Sequence, residues 1–133
     1  MIVGLTRELR QRGIFKKIKE PNLFRFLDLV ALGTVCDVVP LKGLNRCFVK
    51  AGLNIISQRK NLGINALCDI SDLNKIPDEE TLGYKLGPKI NAAGRIGSSD
   101  IGVSLLISKD ISKANELASC LLYTSDAADD SLR

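Results

Sequence analysis

The chain has 133 residues, with 19 basic and 15 acidic side chains, a formal charge of +4 at pH 7, and neither histidine nor tryptophan. That length allows one domain or part of one, and 45% hydrophobic residues suffice for a core built on Leu, Ile, Val and Ala, since aromatics are only 5%. No run reaches the ~18 apolar residues of a membrane span, the start is charged within its second turn and lacks a signal-peptide core, and no histidine is there to complete a zinc site or a nucleophile–His pair. The expected address is therefore the cytoplasm, with a mild lean toward anionic partners.

In chain order, Ile2, Leu5 and Leu9 form one apolar stripe at helical spacing, and Gly13 is placed to end that helix. Residues 14–20 read as a basic connector carrying Lys16, Lys17 and Lys19, a solvated stretch with the makings of a phosphate-tracking patch. Pro21 suits the first turn of a second helix over 22–35, where Phe24, Leu27, Val30 and Ala31 recur at three- and four-residue steps. The β-branched run 35–39 reads as the end of that helix or as a short strand closed by Pro40. Residues 44–57 predict a helix with Leu44, Phe48, Gly52, Ile55 and Ile56 inward, and 64–70 a short one. Pro77-Asp78-Glu79-Glu80 opens a helix to 86, proline early and acids at the positive end of the dipole, and Gly87-Pro88 is expected to break it. Ser98, Ser99 and Asp100 offer caps for a helix to 107, and Asp110 or Ser112 for a last one. The pattern is mainly α. The four cysteines, Cys36, Cys47, Cys68 and Cys120, form no Cys-x-x-Cys pair and are expected as buried free thiols.

Two stretches hold the chemistry. Asp37 stands among Val35, Cys36, Val38 and Val39, and a carboxylate buried in such surroundings must be neutral, hydrogen-bonded or metal-bound. Asp28 reads as solvated, with Arg25 as its i−3 partner on a helix. In Asn91-Ala92-Ala93-Gly94-Arg95, small residues permit close backbone approach, Gly94 can take unusual dihedrals, Arg95 carries a planar fork matched to phosphate, and Asn91 can donate from its amide. Gly97 and Ser98 before a helix leave N–H groups suited to an anion. These residues suit an anion site or a structural turn with a surface arginine equally well.

The segments 29–41, with Gly33-Thr34-Val35-Cys36-Asp37, and 86–97, with Asn91-Ala92-Ala93-Gly94-Arg95, taken in this order resemble the RecJ exonucleases of the DHH phosphoesterase superfamily. The resemblance runs over about 5–119 and is sharpest over 27–41 and 82–97. It implies that this is the later, helical portion of an α/β DHH-type catalytic domain whose parallel sheet lies largely upstream. It implies that Asp37 supplies a carboxylate to a Mn²⁺ or Mg²⁺ cluster, a role suited to hard oxygen ligands. By the same resemblance Arg95, with Asn91, Gly94 and Lys89, holds a phosphate of the DNA strand. Asn45-Arg46 also fits the family pattern, and equally fits a helix cap and a surface arginine. Cys36 stands where the family more often has alanine.

The activity so implied is 5′→3′ degradation of single-stranded DNA in recombination and repair. The family's upstream aspartate motifs and its Asp-His-His motif are not among these 133 residues, so no complete catalytic set is expected here and the chain alone is expected to be inactive. Competing readings are a DHH phosphoesterase of short oligonucleotides or cyclic dinucleotides, and a non-catalytic helical binding module. Residues 120–130 resemble the translation of a transposase adapter used in sequencing libraries, which marks 1–119 as the partial catalytic domain and 120–133 as a non-native tail. That tail holds three acidic residues and one arginine, so the remainder carries +6.

Overall fold

The structure, a computed structural model, describes residues 2–73, 75–95 and 99–130. Among the described residues eight α-helices follow one another: α1 (Ile2–Gln11), α2 (Leu27–Cys36), α3 (Leu44–Ile56), α4 (Leu62–Ile70), α5 (Glu79–Thr81), α6 (Gly87–Arg95), α7 (Ser99–Leu106) and α8 (Ile111–Asp130). Short 3-10 turns at Ile14–Lys16 and Leu23–Phe26 and a π-turn at Leu82–Leu86 complete the chain. No strand occurs among the described residues, as the mainly helical sequence pattern predicts.

Side-chain caps set the starts of α4, α5, α8 and the second 3-10 turn. The Asn22 side chain accepts from Phe24 N–H at 3.1 Å, so Pro21 lies before the cap and not inside the first turn. Asn61 accepts from Gly63 and Ile64 N–H at 3.0 and 3.2 Å and opens α4. Asp78 accepts from Thr81 N–H at 2.8 Å, and Asp110 from Lys113 N–H at 3.0 Å, starting α8. Each side chain replaces the partner that the first helical N–H groups lack. Asn45 is inside α3, where it donates to the Pro40 carbonyl at 3.2 Å, and Gly43 precedes that helix.

The structure decides one open alternative about the chain path and overturns one expectation. The run 35–39 is not a strand: α2 ends at Cys36, and Val38 N–H and Val39 N–H turn back to the Val35 and Thr34 carbonyls at 3.0 and 3.1 Å. These paired bonds close off the last helical carbonyls as a Schellman turn does, with Val38 at φ 55°. Nor does Gly87-Pro88 stop the helix. The wider π-turn lets Gly87 N–H reach the Leu82 carbonyl, and Pro88 then occupies the first turn of α6, where its missing N–H costs little.

The core lies among α2, α3, α4, α6, α7 and α8. Leu67, Leu82, Leu86, Leu105 and Leu121 are fully buried at its centre, with Ile64, Val49 and Ala31 around them. Two glycines let helices touch. A Cβ at Gly52 would overlap the Leu27 carbonyl and come within 2.5 Å of the Ala31 Cβ, and one at Gly63 would overlap the Leu105 carbonyl. So α3 crosses α2, and α4 crosses α7, at backbone contact. The first core-packed residue is Leu29. The α1 stripe is therefore left open, with Ile2 and Leu5 exposed, and so are Leu44 and Phe48 on the predicted inner side of α3. Of the four thiols only Cys68 is buried; Cys36 is half-buried and Cys47 and Cys120 are exposed. The change in composition at residue 120 is not a break in the fold, since α8 runs through it and buries Leu121.

Candidate metal and phosphate site

The end of α2 and the start of α6 meet. Cys36 Sγ lies 3.8 Å from the Leu82 carbonyl and would be 2.9 Å from a Cβ on Gly87. Burial together with the neighbouring Asp37 charge raises the Cys36 thiol pKa, so it stays protonated as a packing group.

Asp37 follows immediately, as the residue that caps α2 at its C-terminus, its N–H donating to the Gly33 carbonyl at 3.0 Å. Its side chain is exposed, not buried. The apolar neighbours that suggested burial point elsewhere, because the helix ends here and the chain turns through Val38. Asp37 makes no ion pair among the described residues. The adjacent Val38 is 87% exposed, and its branched side chain sits in the left-handed region that normally belongs to glycine. Strain of this kind costs on the order of 1–3 kcal/mol and persists only where the surroundings impose it.

The buried acid is Asp28, only 5% exposed, which corrects its reading as a solvated partner of Arg25. Its Oδ1 accepts from Leu29 N–H at 2.8 Å and its Oδ2 from Asn61 Nδ2 at 3.3 Å. The same Asn61 nitrogen lies 3.4 Å from the Leu106 carbonyl. Asp28 and Asn61 thus join the starts of α2 and α4 to the end of α7. Arg25 is turned away, over the Phe26 ring at 5.2 Å. The burial of Asp28 was not legible from neighbours on its own helix; its partner Asn61 lies 33 residues downstream.

The phosphate-binding candidates lie on α6. Asn91, Gly94 and Arg95 stand at i, i+3 and i+4, and that spacing puts the three positions on one helical face. Asn91 and Gly94 are exposed. Gly94 is helical and not in an unusual conformation, and a Cβ there would meet nothing within 4 Å. Packing within the described residues therefore does not demand glycine at that position, which fits a surface that something else approaches. Lys89 stands apart on the helix and donates from Nζ to the Lys85 carbonyl at 3.2 Å. Along the axis, Arg95 is roughly 12 Å from Gly87 at 1.5 Å per residue. Gly97 and Ser98 lie outside the described residues. Lys16, Lys17 and Lys19 are all exposed. Among the described residues no three His, Cys, Asp or Glu side chains gather as a metal site, so the chain offers one exposed carboxylate there. No described helix is long and apolar enough to cross a membrane.

No protein-family model matches the chain. It is 42% identical over 120 residues to the single-stranded-DNA-specific exonuclease RecJ of Haemophilus influenzae, covering 89% of this chain and 21% of that protein. It is 42% identical over 123 residues to the Escherichia coli RecJ, with the same two coverages. Among solved structures it matches RecJ of Thermus thermophilus in complex with Mg²⁺ at a TM-score of 0.78 and 28% identity, covering 87% of this chain and 18% of that one. A manganese-bound RecJ structure matches at the same score, the chain covering 30% of it. The chain spans about one fifth of the length of these curated relatives. With its helices superposing on a helical portion of RecJ and its sequence matching over nine-tenths of its own length, the chain belongs to the RecJ family.

Proposed function

We propose that this chain serves as the later, helical part of the DHH-type catalytic domain of a 5′→3′ single-stranded-DNA exonuclease acting in DNA recombination and repair, and that by itself it does not cut DNA. The observation that carries this is the identity to RecJ exonucleases across nine-tenths of the chain. A divalent ion, Mn²⁺ or Mg²⁺, is the matching cofactor, since solved RecJ structures similar to this chain are complexes with each. The exposed Asp37 carboxylate suits one ligand position of a hard divalent ion, and the remaining ligands come from RecJ sequence outside these 133 residues. Such ions, when bound, supply an activated water and neutralise charge on the scissile phosphate.

The chain's own residues bind and orient. Asn91 and Arg95 hold a backbone phosphate from one helical face, Gly94 between them leaves room for the strand, and Lys89, two residues before Asn91 and off that face, adds positive charge nearby. Residues 1–119 form the native portion and 120–133 a non-native tail. The setting is the cytoplasm.

Two assays test this. The purified 133-residue chain with Mn²⁺ and 5′-labelled single-stranded DNA is expected to release no nucleotides. In the full-length enzyme, Arg95→Ala is expected to lower kcat/KM by about 10- to 100-fold, the effect of removing a charge-assisted bond of roughly 1.5–3 kcal/mol. Release of nucleotides by the short chain would refute the need for outside ligands. An unaffected Arg95→Ala enzyme would remove the phosphate role, and a full-length protein with no nuclease activity would leave a non-catalytic binding module as the reading to pursue.

A further inference from the structure

One face of the molecule is built like an interior and left open. Between α1, the 3-10 turn Leu23–Phe26 and the adjoining faces of α2 and α3 lies a groove of about 690 Å³. Ile2, Val3, Phe24, Phe26, Val30 and Phe48 line it. All six are exposed, Phe24 at 75% and Val3 at 72%. Isolated exposed apolar residues are ordinary, but a contiguous set of this extent marks a surface that another one covers. Among the described residues no apolar side chain before Leu29 belongs to the core cluster or packs against it, and on α1 Ile2, Val3 and Leu5 are exposed while Leu9 is half-buried.

The polar groups of the groove are largely engaged. Arg10 and Glu20 at its rim bind each other, and that bond raises the Arg10 pKa and lowers the Glu20 pKa. Thr6 Oγ1 donates to the Ile2 carbonyl at 3.0 Å, and the Asn22 side chain accepts from Phe24 N–H at 3.1 Å. Small-molecule sites combine an apolar lining with a few polar groups placed to orient the ligand, and here the rim groups are largely committed to one another and to the backbone. The groove suits an apolar protein surface. A second copy is a poor fit, because a two-fold pairing sets the same patch on itself, and a concave groove against a concave groove leaves space unfilled. The relatives supply another occupant: RecJ proteins are about five times as long as the part matched here, so some four-fifths of such a polypeptide lies outside these residues.

We infer that this groove is the internal docking face for the rest of the RecJ polypeptide, an apolar element of the same chain outside these 133 residues seating against Phe24, Val30 and Phe48. The interface resembles a domain core cut in two, as permanent hydrophobic interfaces do. The inference rests on family membership and not on the nuclease chemistry, so it can fail or stand separately from the proposed function.

The test compares the 133-residue chain with full-length RecJ of the same source. Both carry Cys47→Ser, and the short chain Cys120→Ser as well, to remove the exposed thiols, and both carry Phe24→Cys as a reporter. A maleimide is expected to label position 24 readily in the short chain and at least ~10-fold more slowly in the full-length protein. Hydrogen exchange over residues 22–30 of both unsubstituted proteins gives the same comparison without any risk that the reporter disturbs folding, and greater protection in the full-length protein is expected. Equal labelling and equal exchange in the two would overturn the inference. So would protection in the short chain that grows with its concentration while the full-length protein remains open, which would assign the groove to a second copy. Nuclease activity is read on the same full-length sample, so loss of one claim does not imply loss of the other.

Discussion

The two ends of α2 treat an aspartate in opposite ways. Asp28 at the start is buried and held by Leu29 N–H and by Asn61, which also caps α4 and reaches the end of α7. Asp37 at the finish is exposed, carries no ion pair among the described residues, and is followed by a valine in a glycine conformation. One acid is fully used by the fold and the other is left available. The ligand role proposed for Asp37 requires a carboxylate the fold has not consumed, and the buried Asp28 with its two donors stiffens the other end of the helix.

The strongest way to break this contrast is at the close crossing that pins the start of α2. Gly52→Val places a side chain against the Leu27 carbonyl, and the backbone cannot yield cheaply. We expect a loss of about 3 kcal/mol or more in urea unfolding. Asp28→Ala leaves Asn61 and Leu29 N–H short of a partner and is expected to cost about 2 kcal/mol, whereas Asp37→Ala is expected to stay within about 0.5 kcal/mol. Equal losses at the two positions would remove the distinction. Val38→Gly relieves the left-handed valine and is expected to stabilise by about 1 kcal/mol. A destabilised glycine variant would mean that the Val38 side chain has packing its exposure does not reveal.

The last effect is a pH dependence, seen only in alkali. Burial pushes the Cys68 thiol up to about 11 from 9.0. Its folded pKa is raised, so the stability it contributes is complete below pH 9.0 and fades as the pH climbs toward 11. Thermal unfolding of Cys68→Ala is expected to show a flatter decline across that window than the unsubstituted chain.

The helices were legible because their signals are local. Asn22, Asp78 and Asp110 act within three residues of themselves, and the apolar steps of 22–35 and 44–57 repeat at the helical period. What escaped depends on distant partners. The burial of Asp28 requires Asn61, and the passage through Gly87-Pro88 requires a π-turn that the residue types do not announce. Ile2 of the α1 stripe and Phe48, predicted inward, do face an apolar groove, but no other part of the described residues covers it; Leu5 and Leu9 lie outside its lining. The candidate site was legible as residue types and only partly as geometry. Asn91 and Arg95 were named from their chemistry, while their shared helical face appears only once the segment is seen to be helix and not turn.

The most direct test is the manganese stoichiometry of full-length RecJ carrying Asp37→Asn, measured by electron paramagnetic resonance beside its melting temperature. The account predicts loss of bound metal and of nucleotide release with an unchanged melting temperature. A full complement of manganese with normal exonuclease activity would contradict it, and Asp37 would then be only an exposed acid at the end of a helix.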